Sequence, residues 1–390
     1  MRIGILTYHR SVNYGAVMQS AALAGELSRR FPQAEIEIVD YCSKRMNIYY
    51  KLFTIYRGMD SVTQLIPRIE MYKAFQRGVS ELPLSKDRLV TDDCDRFFQW
   101  INGKYDVLIS GSDAVWNYSK RGLPNPYFLH GVSGDCHRLS FAASCNGLGI
   151  GDFSEIDSTS ADFLQSAFMQ FEYIGVRDKQ TEAFVRVMYP AAEIYHNCDP
   201  SLLFYDLSEC NREALIQKLV KKYHYDPDKP AIGLMLSNLN GDLSRCLVEQ
   251  LHSRYGAKYQ IISLYSYNRY ADIPYVADLT PQEWSTIFGL FRLTVSKYFH
   301  GSMFSLLNRT PVLAVGAEKK IAGLPNKVED AFERLGISDW YTNSNEIVWP
   351  DFMNKADELL TDPQEERMDA GIKRELQSAD TFFERIQSIC

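Results

Sequence analysis

The stretch SKYFHGSMFSLLNRTPVLAV, residues 296–315, contains the end of one apolar run, a helical segment and a second apolar run. The first run, RLTVSKYF (292–299), leads to His300, and Ser302 begins the helical segment. PVLAV (311–315) is apolar without alternation, as are strands that are buried on both faces. Two such strands joined by a helix predict a parallel pair with a right-handed crossover. The stretch therefore predicts an α/β domain.

Apolar runs of the same kind recur along the whole chain, with amphipathic helical segments between them. They are RIGILTY, EIEIVDY, YDVLIS, RLSFAAS and YIGVR in the first half, then AIGLMLS and YQIISLY before the stretch above. Strands that alternate with helices form parallel sheets, so the two series predict two Rossmann-type domains that face a cleft. We expect an N-terminal domain at 1–205, a C-terminal domain at 225–350, and helices at 351–390 that pack back on the first domain.

The composition excludes several classes of protein. The 390 residues carry a net charge of −7, which argues against nucleic acid as the main partner. The eight cysteines are scattered without a CxxC pair, so neither a metal site nor a disulfide framework is predicted, and reduced thiols in the cytoplasm are expected. No apolar run approaches the ~20 residues that a membrane span requires. Contact with the inner face of the membrane stays open.

Residues 44–77 differ from the rest of the chain, because seven basic residues there stand against only Asp60 and Glu70. Aromatic residues are interleaved with them: Tyr49, Tyr50, Phe53, Tyr56, Tyr72 and Phe75. Basic charge with aromatic rings suits an anionic membrane surface, or a lipid-linked acceptor held there. An ordinary helical insertion with a solvated basic face has the same composition. The sequence leaves both interpretations open.

Polar residues follow several of the predicted strands. The loop after the first strand contains Asn13 and Tyr14 and leaves backbone N–H groups free for an anion or a hydroxyl, although it lacks the G-x-G-x-x-G spacing of a dinucleotide site. After YDVLIS come Ser112 and Asp113, where the aspartate either caps a helix or orients a substrate hydroxyl. Trp116 either stacks on a sugar ring or packs in the interior.

Two further strand ends carry groups suited to ionic substrates. Arg177 is the last residue of the run YIGVR. It either offers its five N–H donors to a carboxylate or phosphate of a substrate, or pairs with an acidic residue inside the protein. His300 follows the strand of the opening stretch, and Gly301 after it permits close backbone approach. Histidine titrates near pH 6.5, so His300 is either a proton carrier or a packed structural residue.

In order along the chain, NYGAVMQ, DVLISGSDAVWN, SFAASCN, GVRDKQT, NCDPSLLF and SKYFHGSMFSLLNRTPVLAV resemble the polysaccharide pyruvyl transferase family. The segments span most of residues 10–315. The resemblance implies a GT-B-like α/β fold, with two Rossmann-type domains whose parallel sheets face a central cleft. It also implies transfer of pyruvate from phosphoenolpyruvate, as a ketal, to a sugar of a capsular, exopolysaccharide or cell-wall precursor, with release of phosphate. No metal or cofactor is implied; phosphoenolpyruvate is the donor substrate.

The resemblance also implies roles for the strand-end residues. His300 is expected to be the general acid or base, and Asp113 to hold or deprotonate the acceptor hydroxyl. Donor-binding residues are expected in the second domain and at one position of the first: Arg177, Lys297, Tyr298, Gly301 and Ser302. Acceptor-binding residues are expected in the first domain: Asn13, Tyr14, Ser112, Trp116 and Asn117. The saccharide acceptor is expected to be lipid-linked.

One position departs from the family pattern. Family members often carry arginine two residues before the histidine, where this chain has Tyr298. Either the tyrosine hydroxyl takes a role there, or Arg10, Arg269 or Arg292 supplies the missing charge. Two other functions stay open: a glycosyltransferase that uses a nucleotide sugar, and a non-catalytic glycan-binding partner in polysaccharide assembly.

Overall fold

A computed structural model describes residues 1–56, 64–204, 211–236, 241–264, 266–316 and 320–389. Residues 57–63 of the predicted basic insertion lie outside the described residues, as do Cys210 and Cys390. The described residues form two parallel sheets covered by helices, with the apolar core between sheet and helices in each half.

The first sheet has six parallel strands in the order β2-β1-β5-β6-β7-β8. They are β1 (Arg2–Leu6), β2 (Glu35–Ile38), β5 (Val107–Ser110), β6 (His137–Ala143), β7 (Tyr173–Val176) and β8 (Ile194–His196). A separate parallel pair joins β3 (Tyr41–Cys42) and β4 (Leu89–Val90). The helices of this half are α1 (Tyr14–Arg30), α2 (Lys44–Tyr56), α3 (Leu65–Ser80), α4 (Cys94–Ile101), α5 (Tyr118–Arg121), α6 (Ser158–Phe168) and α7 (Lys179–Met188).

The second sheet has five parallel strands in the order β10-β9-β11-β12-β13. They are β9 (Ala231–Met235), β10 (Gln260–Ser263), β11 (Phe291–Ser296), β12 (Val312–Gly316) and β13 (Tyr341–Asn343). The helices are α8 (Arg212–Tyr223), α9 (Gly241–Tyr255), α10 (Pro281–Ile287), α11 (Phe299–Leu307), α12 (Lys327–Arg334), α13 (Trp349–Thr361), α14 (Glu365–Gln377) and α15 (Asp380–Ile389).

Each sheet has one point where the strand order reverses. In the first sheet it lies between β1 and β5, and in the second between β9 and β11. Ligands of open parallel sheets bind outside the carboxyl ends of the strands at such points. Asp113 follows β5 and His300 follows β11, so both lie beside a reversal point.

The predicted α/β fold class is confirmed, but one strand boundary in the opening stretch is wrong. The strand predicted over 292–299 ends at Ser296, and α11 begins at Phe299. The Ser296 hydroxyl explains the early end, because it accepts from the amide of Tyr298 at 3.0 Å and donates to its carbonyl at 2.8 Å. Such a serine-centred turn breaks the strand. His300 therefore lies in the first turn of a helix and not in front of one.

The two halves pack directly on each other through α1. The ring of Tyr14 stacks on Trp284 of α10 with centroids 5.5 Å apart, and Met18 belongs to the apolar cluster of the second sheet. A second contact joins α3 to α10, where Gly78 faces Pro281. These contacts bring the carboxyl edges of the two sheets together.

After the second sheet the chain returns to the first one. Phe382 of α15 packs on Phe141 of β6 with centroids 4.6 Å apart, and Thr381 shares a hydrogen bond of 3.0 Å with the hydroxyl of Tyr173. Helix α14 contributes Glu375, whose carboxylate lies 3.1 Å from Nε of Arg334 in α12. Residues of α14 and α15 thus join elements of both halves.

Candidate active site between the two domains

His300 lies where the first turn of α11 meets the N-terminus of α1. Its side chain is buried, and its Nδ1 lies 3.5 Å from the Ser201 hydroxyl and 3.9 Å from Oδ1 of Asp199. The imidazole packs so closely on Gly15 that a Cβ atom at that position would lie 2.2 Å from the ring. Glycine is therefore required in α1 for the two domains to meet at this histidine.

Arg177 and Asp199 form a fully buried ion pair next to His300. Nη1 of the arginine donates to Oδ2 of the aspartate at 2.8 Å, and each side chain is 1% exposed. Asp199 also accepts from the amide of Ser201 at 3.0 Å, so it caps the short helical turn Pro200–Leu203. The aspartate is thus held at two points and lies between the arginine and the imidazole.

Asp113 completes the group from the end of β5. Its Oδ1 lies 3.6 Å from Nη2 of Arg177, beyond hydrogen-bond distance, and its carboxylate keeps 17% of its surface exposed. The backbone of Asp113 has φ of 75°, in the left-handed region. Non-glycine residues in this region are strained, and such residues cluster at functional sites.

The charges of the group shift its pKa values. Burial lowers the pKa of His300, and Asp199 and Asp113 only partly offset this effect. Burial would raise the pKa of Asp113, but Arg177 and the other nearby cations hold it below its usual value. One of these cations is Lys327, at the first position of α12. The site therefore combines a neutral imidazole with an ionised carboxylate near pH 7.

Two nitrogens of the buried guanidinium donate no hydrogen bond to a described residue. Nε and Nη2 of Arg177 are shielded from solvent and have no hydrogen-bond partner among the described residues. A buried donor without an acceptor is costly, so nearly all such groups in folded proteins are paired. The arrangement suits an anion that accepts from these two donors beside Asp113 and His300.

Trp116, which the sequence predicts either to stack on a sugar or to pack in the interior, lies in the interior. Its side chain is fully buried, and its ring lies among Phe128, Phe168 and Phe171 with centroids 5.0–6.2 Å away. A ring in this position cannot stack on a sugar. The distance of Trp116 from Asp113 along the sequence does not reveal that the side chain turns into the core.

Other predicted acceptor residues are also taken up by the protein itself. The Tyr14 hydroxyl is buried and its ring stacks across the domain interface, so an acceptor cannot reach it. Asn117 is buried and donates to the carbonyl of Asn146. Ser112 is buried beside Asp113, and its carbonyl accepts from Thr7. Acceptor binding by these three residues stays a prediction, and the structure places all three in its interior or at the domain interface.

Asn13 remains exposed, although it has a structural task. Its side chain accepts from the amide of Gly15 at 3.0 Å and caps α1. A carboxamide used in this way keeps its NH₂ group for another partner. Acceptor binding by Asn13 stays a prediction.

Two predicted donor residues are used for packing in α11. Ser302 is fully buried, and its hydroxyl donates to the carbonyl of Tyr298 at 3.2 Å. At Gly301 a Cβ atom would lie 2.8 Å from the Ser296 hydroxyl and 3.1 Å from Met235. Glycine thus lets the helix lie against the sheet. Donor binding by Gly301 and Ser302 stays a prediction, and the Ser302 hydroxyl is already used within the helix.

The other two predicted donor residues are not brought to His300. Lys297 lines a small pocket within the second domain, together with residues of α9 and Val315. The ring of Tyr298 is half-buried against the apolar cluster that contains Trp284. The turn after Ser296 separates both side chains from the imidazole that follows them in sequence.

None of the three arginines considered as a replacement for the family arginine lies at the site. Arg10 forms two hydrogen bonds with Asp40, at 2.5 and 2.6 Å. Arg269 contacts the hydroxyl of the adjacent Tyr270 at 2.7 Å. Arg292 is exposed on β11. The cation that acts on Asp113 and His300 besides Arg177 is Lys327.

Sequence reasoning missed Asp199, Gly15 and Lys327. A signal for the aspartate was present, because Asp-Pro-Ser matches the capped start of a helix. The strand before it, β8, is short and half-buried and lacks an apolar run, so Asp199 was not recognised as a strand-end residue. Gly15 and Lys327 carry no signal of their own. Their contacts cross the domain interface, which a local pattern does not encode.

Comparison with known proteins agrees with the fold and the motif order. The family model for polysaccharide pyruvyl transferase matches residues 13–318. No curated protein matches the sequence significantly.

Solved structures of sugar-nucleotide enzymes share the fold. A UDP-GlcNAc 2-epimerase from Neisseria meningitidis, bound to UDP-GlcNAc, is 8% identical over 100% of both chains, with a TM-score of 0.55. The S. aureus MnaA structure with UDP is 10% identical over 100% of this chain and 97% of that one, with a TM-score of 0.51.

A glycosyltransferase from Rickettsia africae is 12% identical over 100% of this chain and 98% of that one, with a TM-score of 0.50. At this identity the likeness shows the fold alone, which is GT-B-like, as expected. Because the family model covers most of the sequence, the chain belongs to the polysaccharide pyruvyl transferase family.

Proposed function

We propose that the protein transfers pyruvate from phosphoenolpyruvate to two hydroxyls of a saccharide acceptor, forming a ketal and releasing phosphate. The observation that carries the proposal is the meeting of Asp113, Arg177 and His300 across the two domains, with two buried arginine nitrogens left without partners among the described residues. A substrate with a carboxylate and a phosphate supplies the acceptors that these donors lack.

His300 is the proposed proton carrier. A neutral imidazole accepts the proton of the first acceptor hydroxyl. The resulting imidazolium gives this proton to the methylene carbon, which becomes the methyl group, as the hydroxyl oxygen attacks the central carbon of phosphoenolpyruvate. Such transfers contribute about 10²–10⁴-fold to a rate. Asp199, next to Nδ1, stabilises the imidazolium between the two transfers.

The second half of the reaction breaks the bond to phosphate. Phosphate leaves the tetrahedral carbon, the second hydroxyl attacks, and its proton departs with the phosphate, so that one phosphoenolpyruvate and two hydroxyls yield one ketal and one phosphate. The proposed role of Asp113 is to hold or deprotonate the acceptor hydroxyl, since its carboxylate is 17% exposed whereas that of Asp199 is 1% exposed. Arg177 balances the negative charge of the departing group.

The proposed acceptor is a lipid-linked saccharide that the basic insertion holds at the inner membrane face. Lys44, Ile48 and Lys51 recur along one face of α2, and Ile48 is 53% exposed between the two basic residues. Basic residues that flank an exposed apolar one suit an anionic lipid surface. Over the described residues, no helix has the length and apolar character needed to cross a bilayer.

Phosphate release tests the proposal. Purified protein should release phosphate from phosphoenolpyruvate only with an acceptor, tested with a panel of lipid-linked saccharides bearing galactose or N-acetylhexosamine. The product should gain one pyruvyl ketal by mass spectrometry. Transfer from a nucleotide sugar in the absence of phosphoenolpyruvate would favour the glycosyltransferase function. Glycan binding without turnover, unchanged in His300→Ala, would favour a non-catalytic role.

A further inference from the structure

Arg121 lies at the carboxyl edge of the first sheet without an acidic partner. Its guanidinium carbon is 3.7 Å from the centroid of the Tyr8 ring and 5.4 Å from that of Tyr127. Among the described residues, no aspartate or glutamate forms an ion pair with it. The groups that act on it most strongly are the phenols of Tyr8, Tyr127 and Tyr50 and the thiol of Cys42. We call these five residues the Arg121 cluster.

The cluster carries a net positive charge at neutral pH. Burial raises the pKa of each of its phenols, that of Tyr50 to about 12, and also raises the pKa of the Cys42 thiol. All these groups are therefore neutral, and none balances the guanidinium.

Three other arginines of low exposure have a carboxylate partner. Arg10 pairs with Asp40, Arg177 with Asp199, and Arg334 with Glu375. Arg121 differs from these three, since its guanidinium lies over the rings of Tyr8 and Tyr127. An arginine over a ring keeps N–H donors for a second, anionic partner.

The cluster adjoins the candidate active site. Tyr8 follows β1 and its hydroxyl donates to the carbonyl of Ala114, next to Asp113, at 3.1 Å. Tyr8 therefore links Arg121 to the proposed hydroxyl-binding carboxylate, at the reversal point between β1 and β5. Tyr50 comes from α2, the helix with the exposed basic face.

We infer that the Arg121 cluster binds a phosphate group of the acceptor, while Asp113 holds the acceptor's sugar. The ligand class is a sugar phosphate or diphosphate, since phosphate oxygens accept from the guanidinium fork. Naming this ligand as the acceptor rests on the proposed function; the anion site itself rests on the geometry of Arg121.

Calorimetric titration of the full chain tests the inference without turnover. The probes are N-acetylglucosamine 1-phosphate, N-acetylglucosamine and inorganic diphosphate. We expect both phosphorylated probes to bind wild type about ten- to hundred-fold more tightly than Arg121→Met, with Arg121→Lys between them. Binding of the free sugar should be unchanged. Arg186→Met, which removes an exposed arginine paired with Glu182, is the matched control and should bind like wild type.

Melting temperature separates a binding role from a purely structural one. Because no carboxylate loses its partner, Arg121→Met should melt at or above the wild-type temperature without ligand. The inference would be overturned if wild type and Arg121→Met bound diphosphate with equal affinity. It would also be overturned if Arg121→Met melted at a lower temperature than wild type while Arg121→Lys kept the wild-type affinity for diphosphate.

Two further arms identify the source of the phosphate and keep the proposals apart. A short-chain prenyl diphosphate sugar and a UDP-sugar should each bind Arg121→Met more weakly than wild type. Whichever of the two binds wild type more tightly identifies the source of the phosphate group. If these losses occur but no phosphoenolpyruvate turnover is found, the proposed function fails while the anion site stands. If turnover is found and Arg121→Met raises the KM for phosphoenolpyruvate but not for the acceptor, the inference fails alone.

Discussion

At the residue scale, the burial of His300 decides which proton form takes part in the proposed reaction. Burial, the largest effect, lowers its pKa, so the imidazole is neutral near pH 7 and must first accept a proton. The rate then falls as acid protonates the free enzyme. We expect the acid limb of kcat/KM to lie below pH 6.5, the ordinary pKa of histidine.

His300→Gln should lower turnover by about 10²–10⁴-fold and remove that acid limb. His130→Gln is the control, because His130 is another histidine whose pKa burial lowers, but it packs on Phe98 and Phe163 away from the site. Phosphate release across pH 5–8 measures both variants. Full activity of His300→Gln would contradict the proton-carrier role.

Arg177 has a second role that its position at a strand end did not reveal. Because it pairs with the buried Asp199, Arg177→Met leaves an uncompensated carboxylate and should reduce the free energy of unfolding by about 3–5 kcal/mol. Arg177→Met/Asp199→Asn should recover part of this stability and none of the phosphoenolpyruvate affinity. Denaturant unfolding and donor titration separate the two effects; equal stability of the single and double variants would tell against the pair.

At the scale of elements, the contact between α1 and α11 joins the proposed catalytic histidine to the closure of the domains. In Gly15→Ala the new Cβ would lie 2.2 Å from the His300 ring, and in Gly78→Ala it would lie 2.2 Å from Pro281. Both substitutions overpack the domain interface and should lower stability by about 1–3 kcal/mol.

Of the two substitutions, only Gly15→Ala should strongly affect catalysis, because Gly15 contacts the His300 ring and Gly78 does not. A displacement of about 1 Å can cost roughly 10²-fold in rate, so we expect that loss in kcat/KM for Gly15→Ala and near wild-type kcat/KM for Gly78→Ala. Steady-state kinetics on folded protein measure the difference. Similar losses in both variants would show that domain closure alone, and not the histidine's position, limits the rate.

The elements also show how far the sequence predicts the structure. The predicted strands β1, β5, β7, β9 and β11 appear because long apolar runs mark strands buried on both faces. β8 and β13 were missed because half-buried edge strands of three residues have no such run. Asp113 and Arg177 could be placed at the carboxyl edge of the first sheet and His300 at that of the second, since the strands of a parallel sheet share their carboxyl ends. Whether a side chain points into the cleft or the core, as for Trp116, depends on packing partners far away in sequence.

At the scale of the whole molecule, buried histidines make stability depend on pH. Burial lowers the pKa of His9, His130 and His300 below the ordinary value of 6.5. At pH values between the folded-state and unfolded-state pKa of these histidines, the unfolded chain binds more protons than the folded chain. The free energy of unfolding therefore falls as the pH drops below about 6.5. We expect the melting temperature to decrease from pH 7.5 to pH 5.

His130→Phe isolates one contribution to this effect. A phenyl ring can pack on Phe98 and Phe163 but binds no proton, so the variant should lose less stability in acid than wild type. Differential scanning calorimetry at several pH values measures the slope. An unchanged slope in His130→Phe would show that this histidine titrates equally in the folded and unfolded chains.

The return of α15 to the first sheet has a consequence for synthesis on the ribosome. Phe141 and Tyr173 are made early, yet the residues that cover them, Phe382 and Thr381, are translated more than 200 positions later. A nascent chain therefore carries an uncovered apolar surface on its first sheet while the second domain is being made. Domains generally fold in the order of translation, and exposed apolar surface favours aggregation. The N-terminal domain should accordingly depend on holdase chaperones until the last helix emerges.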